Sequence, residues 1–148
     1  MKYSTYELLQ ASADLSIFDF ISIGPKGPIH KRIAFQETII PEIYNLSFGD
    51  INKIGEYDDF SVSDNGDRDV ILATVANIVE IYLMKYPNRW ISFEGSTRER
   101  TRLYRMAIGI NLKELSVKFD IYTQVGGRLV PFLKNMPVDN FVVTSKKP

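Results

Sequence analysis

The spacing of apolar and polar positions changes period along this chain, and the changes mark its elements. "SIFDFISIG" alternates and is rich in Ile and Phe; "PKG" follows as turn material and "PIHKRIAF" returns, which predicts a β-hairpin. "IYNLSFGD" and "YDDFSVS", separated by "INKIGE", predict a second hairpin-like pair. The period then lengthens. "SDNGDRDVILATVANIVEIYLMKYPN" predicts the longest helix: Ile71, Val75, Ile78, Val79, Tyr82 and Leu83 share an apolar face, while Thr74, Asn77 and Glu80 lie on the narrower remainder. Asp64 or Asn65 is its expected cap, Asp67 and Asp69 suit the dipole in its first turn, and Pro87 stops it.

"RWISFEG" reads as a buried strand, and Ser96-Thr97-Arg98-Glu99 matches the S-x-x-E capping box. A second helix is predicted from about Thr97 to Asn111, burying Leu103, Met106, Ala107 and Ile110. "VKFDIYTQ", the turn "VGG" and "RLVPFL" then form a hairpin, with "FVVTS" as a last strand. The expected architecture is a single α+β domain over residues 1–148, a mixed, mostly antiparallel sheet with two helices.

Composition narrows the chemistry. The 148 residues are 45% hydrophobic and 24% charged, an ordinary globular balance for one domain. With no cysteine, disulfides, thiolate catalysis and cysteine-based metal sites are excluded. "MKYSTYELLQ" lacks a signal-peptide apolar core, and the apolar run "VILATVANIVEIYLM" is too short and too polar for a membrane span. The expectation is a cytoplasmic protein with no membrane partner.

A formal net charge of zero hides an asymmetry. Residues 1–74 carry 6 Lys/Arg against 12 Asp/Glu, a net of −6; residues 75–148 carry 12 against 6, a net of +6. Four arginines fall within eight positions in "ISFEGSTRERTRLYRMAI". At ~100° per residue, Arg98, Arg102 and Arg105 project together within about 60°, while Arg100 lies near the flank of the expected apolar face. A guanidinium stripe of this kind suits phosphates and carboxylates, and Gly95-Ser96-Thr97 leads from a strand into a helix N-terminus. Gly95, Ser96, Thr97, Arg98, Arg102 and Arg105 are therefore the candidate ligand-binding residues. Arg100 is expected to brace an acidic residue such as Glu94 or one in "YDDFSVSDNGDRD".

Other chemistry finds less support. His30 is the sole histidine and has no nucleophile elbow to serve, so it reads as structural or surface. One histidine and no cysteine leave no histidine-based metal site, and Glu56, Asp58, Asp59, Asp64, Asp67 and Asp69, which could offer oxygen ligands to Mg²⁺ or Ca²⁺, do not match the calcium loop. Gly24-Pro25-Lys26-Gly27 reads as a hairpin turn rather than a phosphate loop, and Phe18 and Phe20 as core rather than RNA-stacking aromatics.

The combined run "GPKGPI…F…IYNLSFGD…DNGDRD…LATVA…YP…GSTRERTRLYR" resembles a family of small, functionally uncharacterised bacterial proteins, over nearly the whole chain. The order of elements in the second half is also similar to that of GNAT acyltransferases. That resemblance implies acetyl-coenzyme A as cofactor and a tyrosine that protonates the departing thiolate; Leu103-Tyr104 matches the family's Leu-Tyr pair, making Tyr104 the candidate catalytic residue. The family's glycine-rich pyrophosphate loop is missing: only Gly66 stands near "SDNGDRDVI", among Asp64, Asp67 and Asp69. No cofactor is therefore expected. The reading favoured by the sequence is a non-catalytic binding module whose basic helix contacts an anionic ligand or protein partner. The alternatives are a divergent GNAT-like acyltransferase and a nucleic-acid-directed toxin–antitoxin or defence component.

Overall fold

The computed structural model describes residues 3–52, 55–58 and 65–147. It is an α+β protein in which strands β1 (Leu8–Ala11), β2 (Ile17–Gly24), β3 (Gly27–Glu37), β4 (Ile43–Ile51) and β5 (Tyr57–Asp58) precede helix α1 (Arg68–Lys85). Strand β6 (Trp90–Phe93), helices α2 (Arg98–Ile110) and α3 (Leu112–Lys118), and strands β7 (Phe119–Val125), β8 (Arg128–Pro131) and β9 (Phe141–Ser145) follow. The strand order is β1-β2-β3-β4-β6-β9-β7-β8, with β5 on β4. The β4–β6 pair is parallel; β1–β2, β2–β3, β4–β5, β6–β9, β7–β9 and β7–β8 are antiparallel.

The chain forms two compact units, one within Lys2–Gln36 and Leu46–Tyr82, the other within Glu37–Asn45 and Leu83–Pro148. In the first unit the expected hairpin pairs β2 with β3 across the turn Gly24–Gly27. Strand β1 was not foreseen, because "LLQA" is short and three of its four residues are exposed. Phe18, Phe20, Ile33, Phe35, Leu46, Ile78, Val79 and Tyr82 are buried here, and the Phe35 and Tyr82 rings stack at 3.9 Å. Each such side chain contributes about 1.5–3 kcal/mol by leaving water.

Two polar clusters sit within this unit. Asp19 is fully buried and receives Arg32 Nε at 2.7 Å, Arg32 Nη2 at 2.9 Å and Gln10 Nε2 at 2.7 Å, with His30 Nε2 3.1 Å away. Burial works to raise its pKa, yet the hydrogen bonds from Arg32 and Gln10, the close approach of His30 and the Arg32 charge outweigh it and hold the carboxyl below its ordinary value. His30 thus has a structural place. In the second cluster Lys31, only 1% exposed, reaches Asp50 Oδ1 at 2.6 Å and lies 5.7 Å from the Phe48 ring centre.

Helix α1 begins and ends close to expectation, but its start is held differently. Asp64 lies outside the described residues. Asn65 does not cap the helix: its Oδ1 accepts from Lys26 N at 2.8 Å and its Nδ2 donates to Gly27 O at 2.8 Å, clamping the β2–β3 turn. Gly24 permits this approach, since a Cβ there would meet the Asn65 backbone. Asp67 accepts from Tyr6 Oη at 2.5 Å and Ser22 Oγ at 2.6 Å. Burial, then the bond to Asp67, raises the Tyr6 phenol above its usual pKa. Thr74, assigned by periodicity to the polar remainder, is fully buried, accepting from Tyr6 N at 2.9 Å and donating to Val70 O. A threonine can satisfy its hydroxyl locally and still be covered.

In the second unit, β9 inserts between β6 and β7, and its first four residues are all buried. That continuous apolar run is the signature of a strand covered on both faces. Phe93 stacks on Phe141 at 5.2 Å, and Phe132 packs edge-on against Phe141 at 5.3 Å. The turn "VGG" is a two-residue hairpin loop, Gly126 and Gly127 both adopting positive φ, as a type I′ turn requires.

Candidate functional site

Helix α2 grows out of a tight connection from β6. Gly95 N donates to Thr101 Oγ1 at 2.9 Å, and a Cβ on Gly95 would lie 2.4 Å from Thr101 N and 2.7 Å from Arg100 C. Only glycine lets the loop sit against the helix backbone at this distance. The N-cap is Thr97, whose Oγ1 accepts from Arg100 N at 3.2 Å. The expected box starting at Ser96 is therefore not formed: the cap moves to Thr97, whose third following residue, Arg100, has no side-chain acceptor to return the bond, and Ser96 Oγ instead accepts from Arg100 Nη1 at 2.5 Å. Gly95, Ser96 and Thr97 thus have their amide or hydroxyl groups engaged in holding the helix start. Glu94, one of the acidic residues expected to brace Arg100, is exposed and has no ion pair among the described residues; of the other candidates, Asp59 and Asp64 lie outside the described residues.

The buried face of α2 differs from the expected one. Thr101 and Ile108 are buried, with Tyr104 and Arg105 half-buried beside them. Leu103, Met106 and Ile110 are 40%, 47% and 68% exposed. Periodicity located an apolar stripe at true helical spacing but assigned it to the core. The turn at Gly95 decides instead: the Thr101 hydroxyl that receives Gly95 N fixes which side of the helix faces inward. Three of the four predicted residues are reversed, Ala107 alone being half-buried, and Ile108, outside that set, is the covered aliphatic residue.

The arginine stripe keeps its geometry. Arg98 and Arg102 are exposed and Arg105 half-buried, and none of the three side chains has a hydrogen bond or ion pair with a described residue. Arg89 offers a contrast, because its guanidinium lies 4.0 Å from the Tyr44 ring centre and 3.6 Å from that of Tyr86, a stacked role the sequence did not suggest. Over residues 98–118 there are six basic and two acidic side chains, a net of +4. Such a surface attracts carboxylates and phosphates and steers their approach.

Tyr104 sits on the same helix, its ring packed edge-on to Phe93 at 6.4 Å. Among the described residues no group of three or more His, Asp or Glu side chains is placed to hold a metal ion. None of their helices is long and apolar enough to cross a membrane.

Fold and helix together define an α+β protein with an open basic helix. The chain belongs to the family of unknown function DUF6934, whose model matches residues 2–146. Neither a curated protein nor a solved structure matches it.

Proposed function

We propose that this protein is a non-catalytic binding module that uses α2 to contact an anionic ligand or partner. The observation that carries this reading is the stripe Arg98, Arg102 and Arg105, three cations on one side of a helix with no anion among the described residues to neutralise them. A stripe serving only to brace the fold would place its guanidinium groups on carboxylates, as Arg32 does on Asp19.

Fluorescence anisotropy with labelled polyglutamate and a labelled single-stranded RNA, each across a salt series, tests it. Binding of either probe that weakens as salt rises, and that is lost in Arg98→Gln/Arg102→Gln with the melting temperature unchanged, supports the module. Absence of binding at low salt, or equal binding by the double variant, overturns it. A thermal shift with acetyl-coenzyme A that Tyr104→Phe leaves in place, accompanied by acyl transfer that it abolishes, overturns the non-catalytic reading in favour of an acyltransferase.

A further inference from the structure

Helix α2 has two faces, and α3 follows it beyond a break at Asn111, whose φ of −104° and ψ of 12° are not helical. With Thr101 as origin, Ile108 falls within about 20° of it, and both are buried. Leu103, Met106 and Ile110 fall between about 140° and 200°, diametrically opposite. Their exposures are 40%, 47% and 68%, and Val117 in α3 is 73% exposed. The spacing 103, 106, 110 is the 3-4 step of a helix–helix seam.

Charge decides what the seam fits. Arg98 and Arg102 line one flank of α2, at about 60° and 100°, with Lys113 exposed in the following helix, and no described residue neutralises these three. A second copy packed antiparallel by a two-fold axis would set this flank against itself, cation on cation. An anionic membrane is a poorer fit as well: the stripe is about 60° wide and has no aromatic side chain. An acidic amphipathic helix satisfies both the seam and the flank.

We infer that the outer face of α2 holds an acidic amphipathic helix of a protein partner. Leu103, Met106 and Ile110 receive its apolar ridge, and Arg98 and Arg102 its carboxylates, with Lys113 adding to the positive field. This rests on the binding-module reading and specifies the partner.

The test uses the full chain and a fluorescein-labelled peptide of three heptads, Leu at a and d, Glu at e and g. One control peptide replaces Leu by Ser at the same charge, and another replaces Glu by Lys. The Leu/Glu peptide is expected to bind, and each control to bind about tenfold more weakly or less. Met106→Ser/Ile110→Ser, which alters only exposed groups, should weaken the Leu/Glu peptide by about tenfold with its melting temperature retained. Arg98→Gln/Arg102→Gln/Lys113→Gln should weaken it and flatten its salt dependence. Equal binding of the Ser peptide and the Leu/Glu peptide overturns the seam while leaving anion binding intact. Failure of every acidic probe removes both readings. Self-association in analytical ultracentrifugation that Ile110→Ser abolishes assigns the stripe to a second copy and overturns the inference. So does binding to phosphatidylserine vesicles that the same substitution removes.

Discussion

Breaking the buried Lys31–Asp50 pair is the perturbation with the clearest expected size. The two charges are 2.6 Å apart, with side chains 1% and 11% exposed. At an effective dielectric near 20 their attraction is on the order of 6 kcal/mol. Stripping water from the two ions costs several kcal/mol each, so the pair as a whole adds little net stability. Removing one partner is different, because the desolvation of the other remains while its attraction to the first is gone; the cost is up to about 3–5 kcal/mol, less where a further contact of the remaining group persists. For a chain of this length, that is up to about 6–20 °C in melting temperature, at roughly 2–4 °C per kcal/mol. Lys31→Met, Asp50→Asn and the double variant, unfolded by heat and by urea with circular dichroism as the readout, form a cycle. Each single variant should fall by up to that amount, and the double variant should fall no further than the worse single. Strict additivity, or a Lys31→Met loss below about 0.5 kcal/mol, would refute the claim that the pair is desolvated and coupled.

The other expected outcomes concern the helix start and acid. Gly95→Ala places a Cβ 2.4 Å from a backbone nitrogen, so urea unfolding should show a loss of about 1–3 kcal/mol. Gly109→Ala, whose Cβ would meet Lys134 Cγ at 3.5 Å, should be neutral or stabilising by up to ~1 kcal/mol; similar losses for both would show that crowding at Gly95 is not the cause. Asp19 has a lowered folded pKa, so its contribution is present above the unfolded value near ~3.9 and is lost as pH falls through the folded one. The stability difference between wild type and Asp19→Asn should therefore narrow below about pH 4, and a gap that stays constant to lower pH would contradict the depressed carboxyl.

Much of the fold was legible because local rules and burial agreed. The hairpin of β2 and β3 has alternating strands around Gly24-Pro25-Lys26-Gly27, and α1 has a long apolar period ended before Pro87. Strand β9 was readable from "FVVTS" alone, although its place between β6 and β7 was not. Short, exposed β1 gave no signal, and α3 lies beyond the second helix expected to end at about Asn111, its seven residues too few to show a helical period. The candidate site was half legible: spacing brought Arg98, Arg102 and Arg105 to one side, since side-chain direction on a helix is a local property.

What the sequence by itself determined was the list of elements, the absence of cysteine chemistry and the presence of two stripes on the second helix, one apolar and one basic. Which stripe faces inward was decided only in three dimensions. An apolar stripe has the same period whether it meets a sheet or solvent, so hydrophobicity alone could not orient the helix. A single glycine at 95, pressed against the first turn and hydrogen-bonded to Thr101, turns Thr101 and Ile108 toward the core. That leaves Leu103, Met106 and Ile110 in water, beside the arginines.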